Sequence, residues 1–172
     1  TEVTGDLAAL ANTIVLRRLR LANTAVSGEL KSLAQLEKLK ELDLSNTAVS
    51  GELKSLAKME RLTELNLANL KVVGEVAVMA EWSKIERIDL SGTQVEFYLL
   101  QQFQPFKQWG LSFEWECPLP PALRFLDVSR TSRFSQAKDL LRPLAGCGKL
   151  ATLKAAGCGL TGPLWPEFVN AW

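Results

Sequence analysis

The sequence predicts an α/β solenoid, in which successive turns of the chain stack on one another and share one apolar core. Two observations predict it. Residues 23–34 read NTAVSGELKSLA, and residues 46–57 repeat these letters unchanged, 23 positions later. The apolar pattern L-x-x-L-x-L recurs at the same interval, as Leu16-Leu19-Leu21, Leu39-Leu42-Leu44, Leu62-Leu65-Leu67 and Ile85-Ile88-Leu90. A fixed period of this length is typical of stacked repeats, because one unit cannot bury its apolar face alone.

Each unit, or coil, is expected to begin with a short strand. The pair Leu19-x-Leu21 alternates apolar and polar residues, which is the pattern of a strand with one buried face. Strands one coil apart then lie side by side in parallel, ~4.8 Å apart. The predicted strands lie near residues 17–21, 40–44, 63–67, 86–90, 110–113, 124–128 and 151–155, about seven in all, and form one sheet.

The second half of each coil is predicted to be a turn followed by a short helical segment. Glycines recur at Gly28, Gly51 and Gly74, where glycine allows a turn geometry that a side chain would hinder. The apolar series Leu30-x-x-Leu33-x-x-Leu36 has the three-residue spacing of a 3₁₀ helix.

The combined pattern L-x-x-L-x-L-x-x-T-x-V-x-G-x-L-x-x-L-x-x-L resembles the leucine-rich-repeat family, in a short variant close to the plant-type class. The resemblance implies a right-handed, horseshoe-shaped arc with a concave parallel sheet and a mostly irregular or 3₁₀ convex side. One position departs from the family, which usually has an Asn that hydrogen-bonds the turn backbone between coils. Thr or Cys is expected to replace that bond only in part, at Thr24, Thr47, Thr93, Thr131 and Cys158.

The chain is predicted to be a single domain over residues 1–172, with regular units to about residue 107, irregular units over 108–149 and a last unit over 150–172. Three prolines in residues 114–121 predict an extended convex side there. Residues 135–144 predict a helix with Ser135 as its N-cap. Because neither end has an evident polar cap, we expect a fragment or a chain whose ends something else covers.

Composition excludes several kinds of chemistry. The chain has no histidine, which excludes Ser-His-Asp and Cys-His catalysis and His-ligated metal sites. Its three cysteines lack the paired spacing of a zinc site, and Cys158 is expected to be reduced and buried. The chain is therefore not expected to be an enzyme or to hold a cofactor. Unpaired cysteines without glycosylation sequons favour a reducing intracellular or organellar compartment over a secreted one.

The charge balance narrows the class of partner. The formal net charge of +1 gives no broad attraction to nucleic acid or to anionic lipid. No apolar run approaches the ~20 residues of a membrane span, so this segment is not expected to insert into a membrane. A protein partner is the class that remains.

In the family that the chain resembles, the concave sheet is the usual binding surface. Its outward positions are predicted to carry Arg20, Asp43, Asn66, Asp89, Ser112, Asp127 and Lys154 in one row, and Arg18, Glu41, Glu64, Arg87, Gly110, Phe125 and Thr152 in the other. Neighbours of opposite charge, such as Arg18 and Glu41, can simply keep the face soluble. The three aspartates are expected on every second strand, as an acidic centre between basic ends that suits a partner with central basic residues.

Aromatic residues concentrate where the period becomes irregular. Trp109 and Trp115 flank the expected inward pair Leu111-x-Phe113. They are either core residues or exposed anchors for a partner, since Trp is enriched at binding hot spots.

The sequence thus favours a non-catalytic protein–protein interaction module that binds through its concave face. A structural or accessory subunit of a larger assembly and a fragment of a receptor-like ectodomain are the alternatives.

Overall fold

In the computed structural model, the chain coils through two parallel β-sheets joined by 3₁₀ helices. The structure describes residues 3–96, 119–131 and 147–159. The strands in this part are β1 (Thr4–Asp6), β2 (Arg18–Arg20), β3 (Ala25–Glu29), β4 (Glu41–Asp43), β5 (Ala48–Glu52), β6 (Glu64–Asn66), β7 (Lys71–Glu75), β8 (Arg87–Asp89), β9 (Gln94–Glu96), β10 (Phe125–Asp127) and β11 (Thr152–Lys154).

The first sheet has the strand order β11-β10-β8-β6-β4-β2, and every pairing in it is parallel. From β2 to β8 the register advances by one regular coil at each pairing, so that Leu19, Leu42, Leu65 and Ile88 lie in one inward row. Six of the strands predicted from the apolar period are therefore confirmed. The predicted strand at 110–113 lies outside the described residues.

The order of strands differs from the prediction at one place. Strand β10 pairs directly with β8, with Leu126 opposite Ile88, so no strand lies between them. The chain runs from Arg87 to Phe125 between these neighbours, a longer interval than the one from Glu64 to Arg87 in a regular coil. The coil after β10, from Phe125 to Thr152, is also longer than a regular one. The expectation that another strand separates residues 86–90 from residues 124–128 in this sheet was therefore wrong.

A second sheet, which the sequence analysis did not predict, runs along the other side of the coils in the order β1-β3-β5-β7-β9. The repeated glycines lie inside its strands, and not in turns as expected. Gly28 and Gly51 have φ angles of +112° and +126°, which L side chains rarely adopt. A Cβ on Gly51 would lie 3.2 Å from the backbone nitrogen of Leu30, so glycine also permits the close approach of adjacent coils.

The predicted 3₁₀ helices are present at Leu7–Leu10, Leu30–Leu33, Leu53–Leu56 and Val76–Glu81. Their apolar residues meet the inward residues of both sheets in one continuous core, and Leu30, Leu33 and Leu36 are fully buried. Trp82 is also fully buried and replaces the leucine of this last position. Its indole Nε1–H donates a hydrogen bond to the carbonyl of Leu56, 3.2 Å away, and ties one coil to the preceding one.

After each strand of the first sheet the chain turns through a residue of positive φ. Asn23, Asn46 and Asn69 occupy this position with φ angles between 55° and 61°. The side chain of Asn46 donates to Asn23 Oδ1 at 2.9 Å, and that of Asn69 donates to Asn46 Oδ1 at 2.7 Å. Gly92 follows in the next coil, and the Arg130 side chain beyond it reaches Asn69 Oδ1 at 3.4 Å. We call the side chains of Asn23, Asn46 and Asn69, together with that of Arg130, the amide ladder.

At the position where the family usually has Asn, the residues of this chain form hydrogen bonds mostly within their own coil. The hydroxyls of Thr24 and Thr131 donate to the carbonyls three residues earlier, at 2.6 and 2.7 Å. Cys158 is buried, carries a free thiol, and reaches the Val128 carbonyl of the preceding coil at 2.8 Å. These threonine hydroxyls thus donate within their own coil and not to the turn of another coil. Cys158 is buried as predicted.

Candidate binding face

The candidate binding face is the outward side of the first sheet. Its first row, at the first residue of each strand, is Arg18, Glu41, Glu64, Arg87, Phe125 and Thr152. Its second row, at the last residue of each strand, is Arg20, Asp43, Asn66, Asp89, Asp127 and Lys154. A shallow, open depression of about 270 Å³ runs across the strands from Arg20 to Phe125.

At the β2 end, two arginines share one carboxylate. Arg18 Nε lies 2.9 Å from Glu41 Oε1, and Arg20 Nη2 lies 2.6 Å from Glu41 Oε2. The sequence placed Arg20 beside Asp43, and the register confirms that neighbourhood, but the guanidinium reaches diagonally to Glu41 instead. This end of the face therefore carries an excess of one positive charge.

The predicted aspartates of the second row have a structural task. In Asp43, Asp89 and Asp127, Oδ1 accepts a hydrogen bond from the backbone N–H two residues later, at 2.9 to 3.0 Å. Asn66 makes the same bond to Ala68 at 3.1 Å. Short polar side chains commonly cap turns in this way. These residues hold the turn that follows each strand, whether or not they also meet a partner.

The expected alternation of these aspartates is wrong. Because β10 pairs directly with β8, Asp127 lies beside Asp89 and not two strands away. Asp127 is buried, and its second oxygen lies 3.7 Å from Lys154 Nζ. Three carboxylates of this face have no ion pair within the described part of the chain: Asp43, Glu64 and Asp89. We call these three residues the acidic centre.

Beyond the acidic centre, the face changes character at Phe125. The guanidinium carbon of Arg87 lies 4.2 Å from the centroid of this ring, and Lys154 Nζ lies 5.3 Å from it. The two cations come from the strands on either side of β10. Stacking on the ring explains why Arg87 forms no ion pair with its lateral neighbour Glu64. Phe125 was predicted to lie on the face but was not singled out, although an aromatic residue in an outward row was the available signal.

Four candidate residues lie in a part of the chain that the structure does not describe. Trp109 and Trp115 lie outside the described residues, as do Gly110 and Ser112, so their predicted roles stay predictions. Within residues 3–96, 119–131 and 147–159, no cluster of three potential ligands is arranged to hold a metal ion. In the same part of the chain, no helix is long and apolar enough to cross a bilayer.

No protein-family model matches the sequence, and no curated protein matches it significantly. Solved structures do resemble it. The ectodomain of the Arabidopsis receptor kinase HAESA, in complex with an extended IDA peptide hormone ligand, matches 96% of this chain and 25% of its own, with a TM-score of 0.69 and 22% identity. The Arabidopsis GASSHO1/SCHENGEN3 ectodomain, in complex with CASPARIAN STRIP INTEGRITY FACTOR 2, matches 99% of this chain and 22% of its own, with a TM-score of 0.63 and 21% identity.

A bacterial protein gives a similar result. Internalin C2 from Listeria monocytogenes matches 87% of this chain and 55% of its own, with a TM-score of 0.62 and 20% identity. The chain thus spans about a quarter of each receptor ectodomain and about half of internalin C2. These likenesses show that the chain has the leucine-rich-repeat fold.

Proposed function

We propose that this leucine-rich-repeat chain is a non-catalytic protein-interaction module that binds a partner through the candidate binding face. The observation that carries the proposal is the acidic centre. Three carboxylates lie on adjacent strands of a rigid sheet, and no cation of the described chain is paired with them. A preorganised surface of this kind loses little conformational entropy on binding, which favours association.

The charges of the face indicate the kind of segment that fits it. Lysine or arginine side chains of a partner match Asp43, Glu64 and Asp89, whereas the β2 end with its two arginines disfavours them. An apolar or aromatic partner residue fits against the half-buried Phe125 ring, next to Arg87. Exposed charges of this type chiefly set specificity and association rate, and much less the affinity.

Two of the similar structures were solved with a hormone or factor bound, which supports a peptide-sized ligand for this face. They also favour the second candidate, a piece of a receptor-like ectodomain. The third, an accessory subunit within a larger assembly, gains support from the adjacent exposed apolar residues Ile14 and Val15.

Selection of peptides displayed on phage tests the proposal. Peptides selected on the wild-type chain should be enriched in lysine or arginine and should bind the double variant Glu64→Lys, Asp89→Lys at least about tenfold more weakly. The matched control is Glu37→Lys, Glu60→Lys, which makes the same change of charge at exposed positions outside the face. Peptides that bind both double variants equally well would contradict binding through the acidic centre.

A second pair of variants separates binding from folding. Asn66 already caps its turn with an amide oxygen, so Asp89→Asn keeps the cap and removes only the charge. We expect Asp89→Asn to weaken binding of the selected peptides without changing stability. Asp89→Ala removes the cap as well and should destabilise the chain by about 1 kcal/mol in urea unfolding.

A further inference from the structure

Neighbouring strands of the first sheet place several residues of opposite charge side by side, and most of these residues form ion pairs. Glu64 and Arg87 are adjacent in this way, as the first residues of β6 and β8. Neither of them forms an ion pair with another residue of the described ranges. The adjacent pairs that are in contact are Arg18–Glu41 at 2.9 Å, Arg124–Glu86 at 3.7 Å and Lys154–Asp127 at 3.7 Å.

Exposure to solvent does not explain why Glu64 and Arg87 remain apart. Both are exposed, but the side chain of Arg18 is 72% exposed and still contacts Glu41. Register does not explain it either, because Arg18 and Glu41 are also the first residues of their strands. What differs is the residue on the other side of Arg87, where β10 places Phe125 beside it.

Arg87 contacts Phe125 instead of Glu64. Its guanidinium carbon lies 4.2 Å from the centroid of the half-buried ring. The ring and the carboxylate lie on opposite sides of β8, so a side chain that leans toward one of them moves away from the other. At exposed sites, a cation–π contact and an ion pair stabilise by similarly small free energies. The ring is therefore sufficient to hold Arg87 away from Glu64.

We propose that Phe125 is a specificity-determining residue of the candidate binding face. By stacking with Arg87, it keeps that cation off Glu64 and leaves the carboxylate available to a basic side chain of the partner. All three residues line the shallow depression of the face. Without the ring, Arg87 would neutralise Glu64 from within the chain, and the acidic centre would lose one of its three available carboxylates. The proposal rests on the proposed function, since it concerns how the same face selects its partner.

The first experiment uses the free chain and follows the Nε–H resonance of Arg87 by NMR. In the wild type, Glu64→Gln should leave this resonance unchanged, because the two side chains do not pair. In the Phe125→Leu background, Glu64→Gln should shift it, because Arg87 then pairs with Glu64. Phe125→Tyr keeps the ring and should preserve the wild-type response.

Two results of this experiment would overturn the proposal. One is a response of Arg87 to Glu64→Gln that is already present in the wild type. The other is the lack of a response in the Phe125→Leu background, which would mean that the ring does not hold Arg87 in place. The backbone amide spectrum shows whether the leucine variant is folded, and Phe125→Met, which also lacks a ring, replaces it if it is not.

The second experiment measures binding of the basic peptides that were selected on the wild-type chain. They should bind Phe125→Leu about threefold more weakly. Arg87→Gln should restore the affinity in this background and have a smaller effect in the wild type, since only the variant has Arg87 paired with Glu64. A peptide that merely touched the ring would lose affinity in Phe125→Leu and would not regain it with Arg87→Gln. That result, or an equal effect of Arg87→Gln in both backgrounds, would overturn the proposal.

Failure of the proposed function would give a different result. The selected peptides would then bind Glu64→Lys, Asp89→Lys as well as they bind the wild type. The Nε–H experiment needs no partner, so it would still show whether Phe125 holds Arg87 away from Glu64.

Discussion

Residues 23–34 and 46–57 have the same sequence but different surroundings. Both stretches form a five-residue strand followed by a 3₁₀ helix, at Ala25–Leu33 and Ala48–Leu56. Their neighbours differ, because the first stretch packs on the coil that contains Asp6 and the second packs on the first. Local conformation therefore follows from the sequence, and the contacts of each side chain follow from its place in the stack. Because the two sequences are identical, the same substitution made in each stretch measures the effect of the surroundings alone.

The largest expected effect is the loss of a core leucine. Leu30→Ala and Leu53→Ala each remove a fully buried side chain, and each should destabilise the chain by about 2–5 kcal/mol in urea unfolding. Both leucines lie between two apolar coils, so we expect the two values to agree closely. If the two losses of unfolding free energy differed by more than about 1 kcal/mol, the first coils would relax around a cavity to a different extent from the later ones.

Replacement of the glycines should have a smaller effect that differs between the two stretches. Gly28→Ala and Gly51→Ala both force a side chain onto a positive φ, at about 1–3 kcal/mol each. The effect should be larger at Gly28, where the added Cβ would lie 2.6 Å from Asp6 Oδ1 and would displace the carboxylate that caps Ala8. Asp6→Ala in the Gly28→Ala background should reduce this difference, and its persistence would assign the strain to the backbone.

The amide ladder gives the next comparison. Asn46 bonds to an Asn on each side, whereas Asn23 bonds to one. Asn→Gly keeps the positive φ available, and Gly92 is the chain's own example of it. Asn46→Gly should therefore destabilise the chain by about 0.5–1.5 kcal/mol more than Asn23→Gly in the same unfolding experiment. Equal effects would show that the second amide bond contributes nothing to stability.

The smallest effect is expected at the surface ion pairs. Lys31 Nζ lies 2.7 Å from Glu29 Oε2, and Lys54 Nζ lies 2.5 Å from Glu52 Oε2. All four side chains are at least half exposed. The hydrogen bond and charge of Glu29 raise the pKa of Lys31, so its contribution is present below the ordinary lysine pKa and is lost only as the pH rises through the raised value. At neutral pH, Lys31→Ala and Lys54→Ala should leave the urea midpoint unchanged, and a clear shift for either would contradict this.

The regular part of the fold follows from the sequence because side-chain direction has a fixed period. Side chains alternate along a strand, so Leu19 and Leu42 face inward while the charged residues on either side of them face outward. The constant interval of the repeat sets the register of the two strands. The second sheet was missed although its signal is present. Val26 and Val49 are inward residues, each between an exposed alanine and a serine, but the glycine two residues later was taken as the mark of a turn.

The strand order after Asp89 could not be obtained from the period. Leu111-x-Phe113 matches the apolar pattern as well as Leu126-x-Val128 does, and only the hydrogen bonds between β8 and β10 show that these two strands are neighbours. For the candidate face, the apolar period predicted which residues point outward but not which side chains contact each other. The six described strands carry their predicted residues in the two rows, but the sequence could not show that Arg20 reaches Glu41 or that Arg87 stacks on Phe125.

Because of the repeated stretch, the length of the solenoid can be changed by whole coils. Deletion of residues 24–46 joins Asn23 to Thr47 and leaves a local sequence that the chain already contains, so one whole coil can be removed without any new junction. Each such step changes the distance between Arg20 and Phe125 on the candidate binding face by ~4.8 Å, the spacing of adjacent strands. A partner that contacted Arg20 and Phe125 at once would therefore bind only chains with the matching number of coils.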